Sequence, residues 1–142
     1  MAEVWKKLML HKAKRALALN VPGGDYAALV GGVPEGVTVD AEQQGENGTY
    51  DFVHLFVASV AELEEHGPKA LAAIQHDGLL WFSYPKKTSK IKTDINRDTG
   101  WKTIRDAGYE GVTQIAVDET WSALRFRPAS EIPSLTRKFT ND

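Results

Sequence analysis

Leu79-Leu80-Trp81-Phe82-Ser83-Tyr84-Pro85 is an apolar run that ends in Tyr-Pro and opens into Lys86-Lys87-Thr88-Ser89-Lys90-Ile91-Lys92-Thr93-Asp94. Seven residues of that composition, bounded by a proline and a polar loop, read as a buried strand. Downstream, Trp101, Ile104 and Ala107 share one helical face, with Asp98 or Thr99 as the cap and Gly108 as the stop. Val112–Val117 and Trp121–Arg127 follow as two short apolar-rich runs separated by three residues, which predicts a hairpin. Strand, lysine-rich loop, helix and hairpin therefore occupy residues 79–127.

Upstream the same alternation recurs. Arg15–Val21 reads as a buried strand ended by Pro22-Gly23-Gly24, and Tyr26, Leu29 and Val30 mark a short helix stopped by Gly31-Gly32. Val37–Ala41 alternates as a second strand, and 43–48 is a polar loop. Asp51–Ala58 is nearly continuous apolar sequence, as expected of a strand covered on both faces. Ser59 with Glu62 forms a capping box ahead of a helix that Gly67-Pro68 should kink or divide, its second part running to about Gln75 and ending at Gly78. Strands alternating with helices and closed by a hairpin imply an α/β fold with an open, mostly parallel sheet of about six strands and helices on both faces. Residues 1–142 read as one such domain, with an N-terminal helix over 1–12 (Val4, Trp5, Leu8 and Met9 on its packing face) and a surface tail over 128–142.

Composition bounds the function. A chain of 142 residues with 42% hydrophobic and 25% charged residues is a globular composition, and a net charge of −2 supplies no global pull toward nucleic acid. No apolar run approaches membrane-spanning length, so no membrane partner is expected. The chain has no cysteine, which removes disulfides, zinc-thiolate centres and cysteine nucleophiles, and fits a cytoplasmic location. The four histidines have no ligand spacing, so no metal is expected; His54, inside an apolar strand, reads as a hydrogen-bonded core residue. The P-loop, the G-x-G-x-x-G turn and the G-x-S-x-G elbow are all absent, and no cofactor is assigned.

Ligands of open α/β sheets gather at the carboxyl ends of the strands. Pairing of the last strand with Leu79–Tyr84 would bring Tyr84, Lys86, Ser89, Lys90, Lys92, Asp94 and Arg97 into one cleft with Asp118 and Trp121 of the hairpin. That combination suits an anionic group held by ammonium groups, with a flat moiety packed on Tyr84 or Trp121 and the positive end of the helix near Asp98 pointing inward. Lysines this dense also occur as solvated loops neutralised by neighbours such as Asp94 and Asp98.

The element order resembles a shortened class I methyltransferase core. That likeness implies a strand order of 2-1-3-4-6-5 with strand 6 antiparallel between strands 4 and 5. In such cores S-adenosylmethionine rests on a glycine turn after strand 1 and on an acid closing strand 2; here only Asn20-Val21-Pro22-Gly23-Gly24 and Asp40 or Glu42 stand at those places. Tight binding of that cofactor is therefore not expected. Leu80-Trp81-Phe82-Ser83-Tyr84-Pro85-Lys86, Ser89-Lys90-Ile91-Lys92-Thr93-Asp94, Arg97-Asp98 and Asp118–Arg127 also resemble a bacterial family known only as a domain of unknown function, with Gly100 before Trp101 as a departure. That likeness implies a stand-alone cytoplasmic bacterial domain and supplies no catalytic residue. The leading expectation is a non-catalytic binding or regulatory domain for an anionic small molecule or nucleotide. The alternatives are a divergent enzyme on a methyltransferase-like scaffold and a protein-interaction module using the N-terminal helix and the tail.

Overall fold

A computed structural model describes residues 3–132; most of the expected tail lies outside the described residues. Six strands form one sheet: β1 (Arg15–Leu19), β2 (Thr38–Asp40), β3 (Tyr50–Phe56), β4 (Ile74–Pro85), β5 (Tyr109–Ala116) and β6 (Trp121–Pro128). Their order is β2-β1-β3-β4-β6-β5. The first four run parallel, and β6 is antiparallel to both β4 and β5. Both the order and the inverted last strand match the expected topology.

Helices cover both faces, because the central strands are apolar on both sides. α3 (Val60–Ala73) and α4 (Lys102–Asp106) lie on one face, where Leu63, Ala70, Trp101 and Ile104 pack with Leu55, Leu80, Phe82 and Phe126. α1 (Val4–Lys7) and α2 (Tyr26–Val30) lie on the other, with Val4, Leu8, Tyr26 and Val30 against Phe52, Phe56, Trp81 and Trp121. β3 at the centre has all but one of its residues buried. Among the described residues no helix is long and apolar enough to cross a membrane.

Several boundaries differ from the sequence pattern, each for a local reason. The N-terminal segment is not one helix. α1 stops at Lys7, Met9 turns left-handed (φ 62°), and a 3-10 turn covers Leu10–Lys12. The segment is held instead by the buried Trp81, whose Nε1–H donates to the Leu8 carbonyl at 3.0 Å. α3 runs without a break through Pro68. The carbonyl that the missing Pro68 N–H would have bonded belongs to Glu64, which is exposed, so the lost bond falls on the solvent side of the helix. The capping box forms with a shift: Ser59 Oγ accepts from the Glu62 N–H at 3.1 Å, while the Glu62 carboxylate accepts from the Ala58 N–H at 2.8 Å.

α3 ends at Ala73 rather than near Gln75, and β4 starts at once, five residues ahead of the expected Leu79. Asp77 turns left-handed there (φ 54°) and receives a two-pronged ion pair from Arg127, at 2.9 and 2.7 Å. Arg127 holds the Asp77 carboxyl below its usual range. α4 is a single five-residue turn, with Ala107 exposed instead of inward and no side-chain cap from Asp98 or Thr99. A helix that short provides no useful positive end.

Candidate functional site

The residues after β4 form an ordered scaffold rather than a loose lysine tail. The Lys86 N–H donates to the Thr120 carbonyl at 2.8 Å, which extends the β4–β6 pairing past Pro85. Ser89 closes a turn onto the Lys86 carbonyl with both its N–H and its hydroxyl, at 3.0 and 2.7 Å. Further on, Asp94 accepts the Val60 N–H at 2.8 Å, pinning the loop to the start of α3, and Ile95 is buried. Asn96 pairs with Thr99 through both backbone bonds, and its carbonyl receives the Trp101 indole N–H at 2.8 Å. Gly100 sits at φ 102°, where a Cβ would press on Ile95 and Val60 at 3.1 Å, so this turn requires glycine.

Between this loop and the β4–β6–β5 ladder lies a cavity of about 750 Å³, lined among others by Tyr84, Lys86, Lys87, Asn96, Arg97 and Ser122. Tyr84, Ser122 and Ala116 are opposite one another in the β4–β6–β5 register and share a face of the sheet. Burial raises the Tyr84 phenol's pKa above its ordinary value. Tyr84 is only 4% exposed, and its ring meets Trp101 edge-on at 5.7 Å between centroids. Among the described residues none of the four loop lysines makes an ion pair, whereas Arg97 is paired with its neighbour Asp98 at 3.3 Å.

The expected site residues are thus divided. Tyr84, Lys86 and Arg97 meet in this cavity. Ser89, Lys90, Lys92 and Asp94 line a separate depression of about 490 Å³ that shares Lys87 and Asn96 with the first. Trp121 pairs with Pro85, one residue out of step with Tyr84, so it faces the other side of the sheet and packs edge-on against Phe56 at 5.4 Å. Asp118 is a turn anchor: its Oδ1 accepts the N–H groups of Thr120 and Trp121, both at 2.8 Å. Neither hairpin residue joins Tyr84. Lys87, Asn96, Gln114 and Ser122 line the cavity without having been singled out; the hairpin register, had it been known to the residue, would have found Ser122 and Gln114.

A second cavity, about 430 Å³, opens between α2 and the carboxyl ends of β1 and β2, with Asn20, Val21, Gly24, Asp25, Val39 and Ala41 among its walls. Val39 and Ala41 line it, so by the two-residue period Asp40 between them points away. The Asp40 carboxylate instead accepts the Tyr50 hydroxyl at 2.6 Å and faces Arg15 Nε at 3.4 Å. Asp25, the acid that does line this cavity, caps α2 through the Ala28 N–H at 3.0 Å. Asp40 is committed elsewhere and Glu42 is not among the residues that line this cavity, so neither acid expected to hold an S-adenosylmethionine ribose is offered to it, and the residues present do not fit that cofactor.

Beneath this cavity is a fully buried polar line. His54 Nδ1 and the Tyr26 hydroxyl are 2.7 Å apart, and His54 Nε2 and Ser83 Oγ are 2.6 Å apart. Burial lowers the His54 pKa to about 3, so the imidazole is neutral and serves as the core residue that its apolar strand implied. Among the described residues no cluster of three or more His, Asp or Glu side chains is placed to hold a metal ion.

No protein-family profile matches the sequence, and no curated protein is similar to it in sequence. Solved structures are similar in fold. A SAM-dependent methyltransferase from Aquifex aeolicus shares 13% identity at a TM-score of 0.54, over 80% of this chain and 81% of its own. The PH0226 protein from Pyrococcus horikoshii OT3 shares 12% identity at 0.53, over 89% and 88%. The phosphoethanolamine N-methyltransferase 2 of Haemonchus contortus, solved with phosphomonomethylethanolamine and S-adenosylhomocysteine, shares 14% at 0.55, and this chain spans 42% of its length. At these identities the likeness establishes a methyltransferase-like Rossmann fold.

Proposed function

We propose that this chain uses its methyltransferase-like scaffold to bind an anionic small molecule at the carboxyl end of β4, without itself carrying out chemistry. The observation that carries the reading is the cavity beside Tyr84, with Lys86, Lys87 and Arg97 at its wall against the single acid Asp98. Each cation–anion contact at an open surface contributes about 1 kcal/mol or less, so an anion held here draws on Lys86, Lys87 and Arg97 together. The two acids with the best claim to proton transfer, Asp94 and Asp118, are occupied by backbone N–H groups. Calorimetric titration with inorganic phosphate at low and high salt tests the proposal. Binding weakened by salt, and lost in Lys86→Ala with Arg97→Ala while the melting temperature holds, supports it; absence of any saturable phosphate binding overturns it.

The likeness to named methyltransferases favours a second reading, a divergent enzyme on the same scaffold. It would require the β1–β2 cavity to take S-adenosylmethionine with no Asp40 contact to the ribose. Micromolar affinity for that compound would establish this reading in place of the first.

A further inference from the structure

We infer, building on the anion-binding reading, that the β4–β6–β5 cavity is built for a phosphorylated sugar or polyol rather than for a nucleotide base. The deciding feature is what the cavity lacks as much as what it offers. A flat heterocycle is held best by a fixed, desolvated aromatic or guanidinium plane on which to stack. Trp121 is on the opposite face of the sheet against Phe56. The Tyr84 ring is spent on Trp101 and is almost wholly buried. The Arg97 guanidinium is held through its Nε edge by Asp98 at 3.3 Å on a side chain that is 65% exposed, so it brings charge to the cavity's edge rather than a fixed, desolvated platform. Pro85 and Ala116 give aliphatic edges but no aromatic plane.

What lines the cavity instead is a set of groups that both donate and accept hydrogen bonds: the hydroxyls of Tyr84 and Ser122 and the carboxamides of Gln114 and Asn96. Sugar hydroxyls have the same dual capacity, so each can be matched in either direction. The placement follows from the fold. Tyr84, Ser122 and Ala116 align across three strands, and Gln114, two residues before Ala116 on β5, falls on the same face. Asn96 is set by its own turn, with its Oδ1 accepting the Asp98 N–H at 2.8 Å. The cations come from two segments: Lys86 and Lys87 from the loop that leaves β4, and Arg97 from the turn that carries Asn96. A hydroxyl-matching floor with a cationic wall fits a phosphate attached to a polyhydroxylated body.

Calorimetry with inorganic phosphate, ribose, ribose 5-phosphate and adenosine 5′-monophosphate tests this. Ribose 5-phosphate is expected to bind about tenfold or more tighter than phosphate, with the adenine of adenosine monophosphate adding nothing. Ser122→Ala and Gln114→Ala should each weaken ribose 5-phosphate about tenfold while leaving phosphate affinity unchanged. Gln114 is exposed, so its variant keeps the test valid if loss of the buried Ser122 hydroxyl unsettles the fold. Phosphate binding to which the sugar adds no affinity would overturn this inference and leave the anion reading intact. So would adenosine monophosphate binding about tenfold tighter than ribose 5-phosphate. If phosphate gives no saturable binding, the anion reading fails and this one with it.

Discussion

His54 should make this protein acid-labile in a way that one substitution removes. The imidazole is fully buried between Tyr26 and Ser83 and stacked on Phe56 at 4.3 Å, and burial lowers its pKa from 6.5 to about 3. In the unfolded chain the same group takes up a proton below about pH 6.5. Between these two values only the unfolded state is protonated, so stability is intact above pH 6.5 and is lost as the pH falls toward 3. The slope from this group is about 1.4 kcal/mol per pH unit, and the full interval amounts to about 5 kcal/mol, comparable with the whole stability of a marginal domain. Urea denaturation at several pH values between 7 and 4 reads the slope. His54→Gln, which keeps a donor and an acceptor near the two hydroxyls, should lower stability at pH 7 but flatten the acid dependence by about that slope. Other titrating groups are common to both proteins and cancel in the difference. Equal slopes, or an NMR titration in which His54 takes up its proton above pH 5, would refute the assignment.

Three other outcomes follow from the contacts. Phe56→Ala and Leu80→Ala should each cost about 2–5 kcal/mol, since both side chains sit in the two-faced core, and a denaturant midpoint that does not move would show otherwise. Asp94→Ala and Asp118→Ala should each cost about 1 kcal/mol through lost backbone bonds while phosphate affinity stays unchanged; a selective loss of phosphate binding would restore these acids to the site. Titration with S-adenosylmethionine should give no saturable heat at micromolar concentrations, because Asp40 is committed to Tyr50 and turned away from the β1–β2 cavity; saturable binding there would contradict that commitment.

Strand order was legible because it depends on coarse signals. The nearly unbroken apolar run of β3 belongs at the sheet centre, and the short gap between the apolar runs of β5 and β6 reads as a hairpin turn. The likeness to a methyltransferase core then supplied the position of β6. Local breaks were less legible. Pro68 carries a strong helix-breaking signal, yet its effect depends on whether the orphaned Glu64 carbonyl meets protein or water, and that depends on which side of α3 faces the sheet. The early start of β4 was hidden for a related reason. Gln75-His76-Asp77-Gly78 has no strand character of its own, and its conformation is held by Arg127, fifty residues away in sequence.

The site was legible in its location but not in its membership, and the cause is register. Tyr84 and Trp121 are both aromatic and both lie at the junction of β4 with β6, so sequence alone favours placing them together. A slip of one residue in an antiparallel pair moves every side chain to the opposite face. Here Trp121 is opposite Pro85, which sends its ring to Phe56 on the α2 side, and it is Ser122 that stands across from Tyr84. That single step exchanges an indole for a hydroxyl in the cavity wall. It therefore changes the ligand chemistry from stacking to hydrogen bonding while leaving the cationic loop where it was. The Lys86 N–H bond to the Thr120 carbonyl locks this register at the mouth of the cavity. The same contact that fixes where Lys86 begins thus also decides which side chain of β6 it shares the cavity with.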